Sequence, residues 1–215
     1  MNHYRAVIFD LDGTLLNTLD DLADSVNHTL SAYGYPTHSK EDVCRFVGNG
    51  VRLLLTRSLP GGEETQNFEQ IFADFCAYYA KNSRNKTAPY EGIVPLLEKL
   101  CCAGVRIGVV SNKFDAAVRE LCQKYFGSLV TVAVGESATV PPKPAPDSVF
   151  RAMELLDVTA EDCVFVGDSE VDIKTAANAG MPCISVLWGF RDRACLAANG
   201  ATCFAKDPAA LATLL

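Results

Sequence analysis

The stretch Ala6-Val7-Ile8-Phe9-Asp10-Leu11-Asp12-Gly13-Thr14 constrains this chain more than any other, because four consecutive apolar residues run directly into two aspartates one residue apart. An unbroken apolar run suits a strand covered on both faces, as in parallel α/β sheets, whereas a half-wet strand would alternate. Asp12-Gly13 is also a good hairpin dipeptide, but the missing alternation makes that the weaker reading. In open α/β sheets ligands bind beyond the carboxyl ends of the strands, where Asp10 and Asp12 would stand.

The rest of the chain supports such a sheet. From Pro89 onward, apolar strands at "VRIGVVS", "LVTVAV", "CVFVGD" and "CISVLW" alternate with amphipathic stretches such as "IVPLLEKLCCAG" and "SVFRAMELLDV". This β-α-β alternation predicts a Rossmann-like parallel sheet with helices on both faces. Between about Asp20 and Lys81 the pattern is helical throughout, in "DLADSVNHTLSAYG", "KEDVCRFVG", "VRLLLTRSL" and "EETQNFEQIFADFCAYYAK". The predicted architecture is therefore an α/β core of residues 1–16 and 84–215, with an all-helical cap, 17–83, inserted after the first strand. The polar junctions "LLNTL" and "KNSRNKTAP" suit hinges for a cap that closes over substrate.

Composition narrows the function. An apolar share of 49% over 215 residues can fill a real core, and 19 Lys+Arg against 26 Asp+Glu give a net charge of -7. That balance, without a basic cluster, disfavours nucleic acid as a partner. The N-terminal stretch lacks the long apolar region of a signal peptide, and no apolar run approaches membrane-spanning length, so the expected setting is cytoplasmic with no membrane partner. Nine cysteines without a C-x-x-C pair argue against a disulfide framework or a zinc site, and a core role is the default for them. His3, His28 and His38 lie among polar residues without ligand spacing, and surface positions are expected.

The predicted strand ends carry the same kind of residue repeatedly. Asp10 and Asp12 follow the first strand, Ser111-Asn112-Lys113 the second, Lys143 lies in "VPPKPAPD", and Asp168 follows "CVFVG" with Asp172 four residues later. Each alone has a plainer explanation: Ser111 or Asp168 as a helix cap, Lys143 as a solvated charge, Asp172 as a first-turn acid. Together they converge. Several carboxylates at one place repel unless a cation sits among them, and Mg²⁺, which takes carboxylate, water and phosphate oxygens, fits best. A lysine and a hydroxyl at neighbouring ends would hold phosphate oxygens, which describes phosphoryl transfer. Asp10 would then attack phosphorus to form an aspartyl-phosphate, and Asp12 would be the acid and base. Gly13 would allow close backbone approach.

"DLDGTLLNT", "VVSNK", "PPKPAP" and "VGDSEVD" resemble the four ordered motifs of the haloacid-dehalogenase superfamily, and "FVGNGVRLLL", "PYEGIVPLLEKL" and "VLWGFRDR" are similar to its phosphoglycolate phosphatase branch. The resemblance covers nearly the whole chain. It implies a Rossmann-like core with a helical cap, Asp10 as nucleophile, Asp12 as acid/base, Ser111 and Lys143 as phosphate-holding residues, and Asp168 as a metal ligand. It further implies that the Asp12 backbone carbonyl completes the ligation, that Asp172 supports the metal shell through water, and that Asn112 contacts phosphate or substrate. Gly48, Asn49 and Gly50 fall in the cap's substrate loop, although Gly and Asn there also suit a plain turn between helices.

The expected partner is a small phosphorylated metabolite, and the expected assembly a monomer or small homo-oligomer. Asp12 and Asp168 argue against a dehalogenase. A phosphomutase of the β-phosphoglucomutase type and pyrophosphate, nucleotide or sugar phosphatases share the core motifs, and a non-catalytic phosphate-binding protein would need no nucleophile and acid pair. For 2-phosphoglycolate, Arg45 or Arg52 beside "VGNG" could hold the substrate carboxylate.

Overall fold

The computed structural model describes residues 4–215, so His3 lies outside the described residues. The elements follow one another as β1 (Ala6–Phe9), β2 (Leu16–Asn17), α1 (Leu19–Ala32), α2 (Lys40–Phe46), α3 (Gly50–Ser58), α4 (Phe68–Asn82), β3 (Ala88–Pro89), α5 (Ile93–Cys102), β4 (Arg106–Phe114) and α6 (Asp115–Phe126). Then come β5 (Val132–Glu136), α7 (Asp147–Leu156), β6 (Cys163–Gly167), α8 (Glu170–Asn178), β7 (Cys183–Val186), α9 (Arg193–Ala198), β8 (Phe204–Ala205) and α10 (Pro208–Leu214).

Six strands form one parallel sheet in the order β5-β4-β1-β6-β7-β8. β1 is central, with Ala6 opposite Arg106 on one side and Cys163 on the other. Its four residues are wholly buried because both faces are covered. Val7 and Phe9 pack with Ile107, Val109, Val164 and Val166 on one face. Ala6 and Ile8 turn to the other, with Val110, Phe165 and the α7 residues Val149, Ala152 and Leu156. The two-residue period of a strand thus explains the unbroken apolar run, one residue for each core in turn. From β1 the winding goes outward through β4 to β5, then crosses back to β6 on the opposite side of β1. The carboxyl ends beside β1 therefore lie where the winding reverses, the usual ligand crevice of such sheets.

Two small strand pairings lie outside the sequence prediction: the edge strand β8, and the β2–β3 ribbon formed by Leu16–Asn17 and Ala88–Pro89. Two-residue strands leave no periodicity to read. β4 runs past Ser111 to Phe114, with its register against β5 shifted between Val110 and Phe114.

The helical part, Asn17–Ala88, is a compact unit of its own, and the remaining described residues form the other. Inside it, α1 packs on α2 and α4, with Leu22, Val26, Leu30, Leu55, Ile71 and Phe75 buried. It runs on past Ser83 to Ala88 because the buried Asp21 carboxylate accepts hydrogen bonds from Lys86 N (3.0 Å), Thr87 N (2.9 Å) and Thr87 Oγ1 (2.8 Å). His28 is exposed, as expected. His38 is half-buried, its Nε2 lying 2.8 Å from the Ser58 carbonyl oxygen and its ring edge-on to Phe46, so it ties helices together rather than facing water.

No helix among the described residues is long and apolar enough to cross a membrane. All nine cysteines are free thiols. Cys122 and Cys163 are buried as core residues, whereas Cys102 is exposed and the others are half-buried. Burial pushes the Cys122 thiol up to about 12 and Cys163 to about 11, which makes both poor nucleophiles.

Candidate active site

The carboxyl ends of β1, β4 and β6, with the loop after β5, bring Asp10, Asp12, Ser111, Lys143, Asp168 and Asp172 together within the α/β unit. Asp10 extends the ladder one residue beyond β1, its N–H donating to Val166 O at 2.8 Å. Lys143, reaching in from the Pro-rich loop, donates to Asp10 Oδ1 and to Asp172 Oδ1, both at 2.6 Å. It is buried, not a solvated loop charge. Burial works against its ammonium, but the two carboxylates outweigh that and hold its pKa above the ordinary lysine value.

Asp168 is held by a separate set of donors. Thr14 Oγ1 donates to its Oδ1 at 3.1 Å and Phe190 N to its Oδ2 at 2.7 Å, while Trp188 Nε1 donates to Thr14 O at 2.9 Å. These loops close on Asp168 only because two glycines lack side chains. A Cβ on Gly13, which sits at φ +92°, would lie 2.4 Å from Asp168 Oδ2, and one on Gly189 would lie 2.2 Å from Asp168 Cβ. The α8 cap is Ser169, whose Oγ accepts from Asp172 N while Asp172 Oδ2 accepts from Ser169 N and Oγ, a reciprocal capping box. Asp172 therefore spends one oxygen on the helix start and the other on Lys143.

The end of β4 divides its residues between two sides, as a strand must. Ser111 and Lys113 both face Asp12, with Ser111 Oγ donating to Asp12 Oδ2 at 3.2 Å and Lys113 Nζ 3.2 Å from Asp12 Oδ1. The Lys113 contact is an ion pair without hydrogen-bond alignment, since Asp12 Oδ1 accepts no hydrogen bond. Asn112 points the other way and spends its amide on the backbone of Lys143, accepting from Lys143 N at 2.6 Å and donating to Lys143 O at 2.9 Å. The amide thereby seats the lysine loop. Gly135 on β5 makes room for the turn out of β4, because a Cβ there would lie 2.5 Å from Lys113 O.

The electrostatics suit a bound cation. Asp10, Asp168 and Asp172 are all buried and each offers a carboxylate oxygen within 4.8 Å of the others. Burial raises Asp10 well above the ordinary carboxylate value; Lys143 pulls it back, and Asp172, Asp168 and Asp12 push it further up. Burial and then the charge of Asp172 push Asp168 up to about 7 against the pull of Phe190 N–H, Thr14 and Lys143. Three buried carboxylates share one lysine, and an all-oxygen donor set with excess negative charge fits a hard divalent cation.

Thr14 and Phe190 escaped the sequence reading as site residues, and Lys113, placed at the second strand end, was given no role there. Its i+2 spacing to Ser111 on a strand puts the two on one face, whereas the backbone N–H of Phe190 carries no sequence signal. Gly48, Asn49 and Gly50 lie in the helical unit, half-buried at the α2–α3 junction, with Gly48 at φ +138° and Gly50 at φ +81°. Arg52 is taken up there by Glu63 (3.1 Å) and Glu69 (2.6 Å) and lies over the rings of Phe68 and Phe72. This corrects the expectation that it is open to a substrate carboxylate. Arg45 pairs with Asp42 at 2.8 Å.

The profile of the haloacid dehalogenase-like hydrolases matches residues 7–186. A phosphoglycolate phosphatase of Pseudomonas putida is 34% identical over 192 residues, covering 86% of this chain and 70% of its own. One from Rhodospirillum rubrum is 32% identical over 216 residues, 96% of this chain and 89% of its own. A crystal structure from Lactobacillus delbrueckii subsp. bulgaricus, provisionally assigned as a phosphoglycolate phosphatase, superposes with a TM-score of 0.94 at 33% identity, covering 99% of this chain and 98% of that one. With the motif residues gathered at the strand ends as described, the chain belongs to the haloacid dehalogenase-like hydrolase family, where it is similar to phosphoglycolate phosphatases.

Proposed function

We propose that this protein is a cytoplasmic, Mg²⁺-dependent phosphatase that hydrolyses a small phosphomonoester, 2-phosphoglycolate before others, through an aspartyl-phosphate on Asp10. Its partner is a small phosphorylated metabolite, with neither nucleic acid nor membrane involved, and it works as a monomer or small homo-oligomer. The observation that carries this reading is the unequal treatment of two aspartates on one strand end. Asp10 is gripped by Lys143 at 2.6 Å, while Asp12 is met only by Ser111 and Lys113 at 3.2 Å.

Held by Lys143 and, when bound, by a divalent cation, the Asp10 carboxylate would be kept anionic as a nucleophile, while Asp12, held loosely, is free to give and take a proton. Asp10 Oδ attacks phosphorus; the ester oxygen departs with the proton of Asp12. Water then attacks the phosphorus of the acyl phosphate and gives its proton to Asp12, and Asp10 is released with inorganic phosphate. Ser111 Oγ and Lys143 Nζ bind the phosphoryl oxygens, and Asn112 keeps Lys143 in place. Asp10, Asp168 and the Asp12 carbonyl are the residues to hold Mg²⁺, with Asp172 in support through water. When bound, the ion neutralises charge so that an anionic phosphoryl group can approach carboxylates. Gly48, Asn49 and Gly50 form the substrate loop of a helical cap over 17–83. Preference for 2-phosphoglycolate rests on the relatives of that name.

The test compares kcat/KM for Mg²⁺-dependent phosphate release from 2-phosphoglycolate, pyrophosphate, a nucleoside monophosphate, sugar phosphates and an aryl phosphate. Asp10→Asn is expected to lose at least about a thousandfold on every substrate. In Asp12→Asn, phosphate is expected to stay covalently on the acid-quenched protein. Activity of Asp10→Asn near that of the parent ends the proposal; phosphoryl return to a sugar instead of water makes the enzyme a mutase.

A further inference from the structure

We propose that Trp188 is a positioning residue for Asp168: it locks together the two loops whose donors aim that carboxylate, and so sets how tightly the site holds its divalent cation. The inference rests on the metal-dependent reading above, in which Asp168 is a ligand, and adds to it a residue outside the carboxylate and lysine set.

Mg²⁺ demands near-octahedral geometry, so a ligating carboxylate serves best when its plane cannot turn. The last torsion of an aspartate is broad, and a single hydrogen bond leaves it a hinge. Asp168 has a donor on each oxygen, Thr14 Oγ1 at 3.1 Å on Oδ1 and Phe190 N at 2.7 Å on Oδ2. The two donors belong to different loops, one after β1 and one after β7. A slip of one loop past the other would pull a donor away or swing the carboxylate.

Trp188 bridges those loops. Its Nε1 donates to the carbonyl oxygen of Thr14 at 2.9 Å, across 174 residues of chain, and its ring packs against the core cluster that includes Leu11, Leu15 and Val186. Thr14, wholly buried, thus takes the indole on its backbone and gives its hydroxyl to Asp168, while Phe190 follows Trp188 by two residues. The contacts close a ring, from Asp168 to Thr14 to Trp188 to Phe190 and back. The ring is tight, since Gly13 before Thr14 and Gly189 before Phe190 both lie where a Cβ would strike the Asp168 side chain. A buried indole N–H takes some acceptor in any fold. This one takes the carbonyl of the residue whose hydroxyl holds Asp168, which couples the indole to the ligand. Partners of that outer kind typically change metal affinity by about 10–100-fold when removed.

The test measures the Mg²⁺ dissociation constant by calorimetric titration of the metal-free protein, without substrate, beside a melt in chelator. The proteins are the parent, Trp188→Phe, Thr14→Val, Thr14→Ser and the double variant Trp188→Phe/Thr14→Val. Trp188→Phe keeps an aromatic ring and loses the donor, and is expected to weaken Mg²⁺ binding about fivefold or more. Thr14→Val is expected to weaken it about tenfold, and Thr14→Ser, which keeps the hydroxyl, to stay within about twofold of the parent. Because Trp188 acts through Thr14, the double variant should bind Mg²⁺ about as Thr14→Val does, without multiplying the two losses. Trp188 is the chain's one tryptophan, so growth on benzothienylalanine, which replaces the indole N–H by sulfur, alters this donor alone and should reproduce the loss even where Trp188→Phe does not fold. Unchanged Mg²⁺ affinity in the analogue or in a folded Trp188→Phe, whatever the melt in chelator, or losses that multiply in the double variant, overturns the role of Trp188 and leaves the phosphatase standing. A parent that neither binds Mg²⁺ nor needs it for phosphate release overturns the metal reading itself.

Discussion

The two units use their charged residues in opposite ways. In the α/β unit Asp10, Asp168, Asp172 and Lys143 are buried at strand ends and crowd one another, with their oxygens held apart from helix and sheet bonding except at the Ser169–Asp172 cap. In the helical unit the one comparably buried acid, Asp21, spends its carboxylate on Lys86 and Thr87 to finish the fold, and Arg52 is neutralised locally by Glu63 and Glu69. The first unit stores unfavourable buried charge that a ligand can relieve; the second satisfies its buried acid, Asp21, within its own fold. A buried charge cluster is thus a mark of function, where a satisfied buried charge is a mark of structure.

The sharpest way to break this contrast is Lys143→Met. It strips two buried carboxylates of their cation and is expected to abolish turnover and to cost about 3–5 kcal/mol in a denaturant melt without metal, with Mg²⁺ restoring part of the stability. A melt unchanged by the substitution would mean that the cluster stores no strain. Next, Gly189→Ala forces a methyl against Asp168. It is expected to cost about 1–3 kcal/mol and to raise the Mg²⁺ concentration needed for half activity, read by metal titration of both stability and rate. Asp21→Ala in the helical unit is expected to cost a similar or smaller amount, about 1–3 kcal/mol, from the lost bonds to Lys86 and Thr87, with kcat near that of the parent. A large loss of kcat there would erase the distinction between the units.

A gentler test uses pH. Asp10 and Asp168 both hold protons more tightly in the folded than in the unfolded chain. The folded state therefore binds more protons, and stability without metal falls as pH rises from the ordinary carboxylate range through about 7, the value to which Asp168 is pushed. Thermal melts between about pH 5 and pH 8 are expected to show this decline in chelator and to lose it in Mg²⁺. The smallest effect is expected from Arg52→Leu, whose exposed ion pairs should leave the melting point and the substrate ratio nearly as they were.

Much of this molecule is legible along the chain. The unbroken run Ala6–Phe9 announces a strand buried on both faces, and the spacing of Asp10, Asp12, Ser111, Lys143, Asp168 and Asp172 announces a site, because strand ends in a parallel sheet all point to one edge. The helical insertion reads from its periodicity. Three things do not read. The two-residue strands β2, β3 and β8 are too short to carry a pattern. The partner of the Asn112 amide, the backbone of Lys143, lies thirty-one residues away and depends on how the Pro-rich loop folds against β4. The partners of Arg52, eleven and seventeen residues away, depend on how helices pack.

What the sequence alone determined is therefore the inventory and its address: which carboxylates, lysine and hydroxyl belong to the site, and that they stand at the carboxyl edge of a parallel sheet. Periodicity and chemistry are local properties, carried by a few neighbouring residues. What only the tertiary structure decided is the pairing: that Lys143 joins Asp10 to Asp172, that Lys113 stands against Asp12, that the N–H of Phe190 holds Asp168, and that Asn112 serves a lysine loop. Those contacts join residues far apart along the chain, and their energies depend on burial and on differences of an ångström, which no single stretch of sequence records.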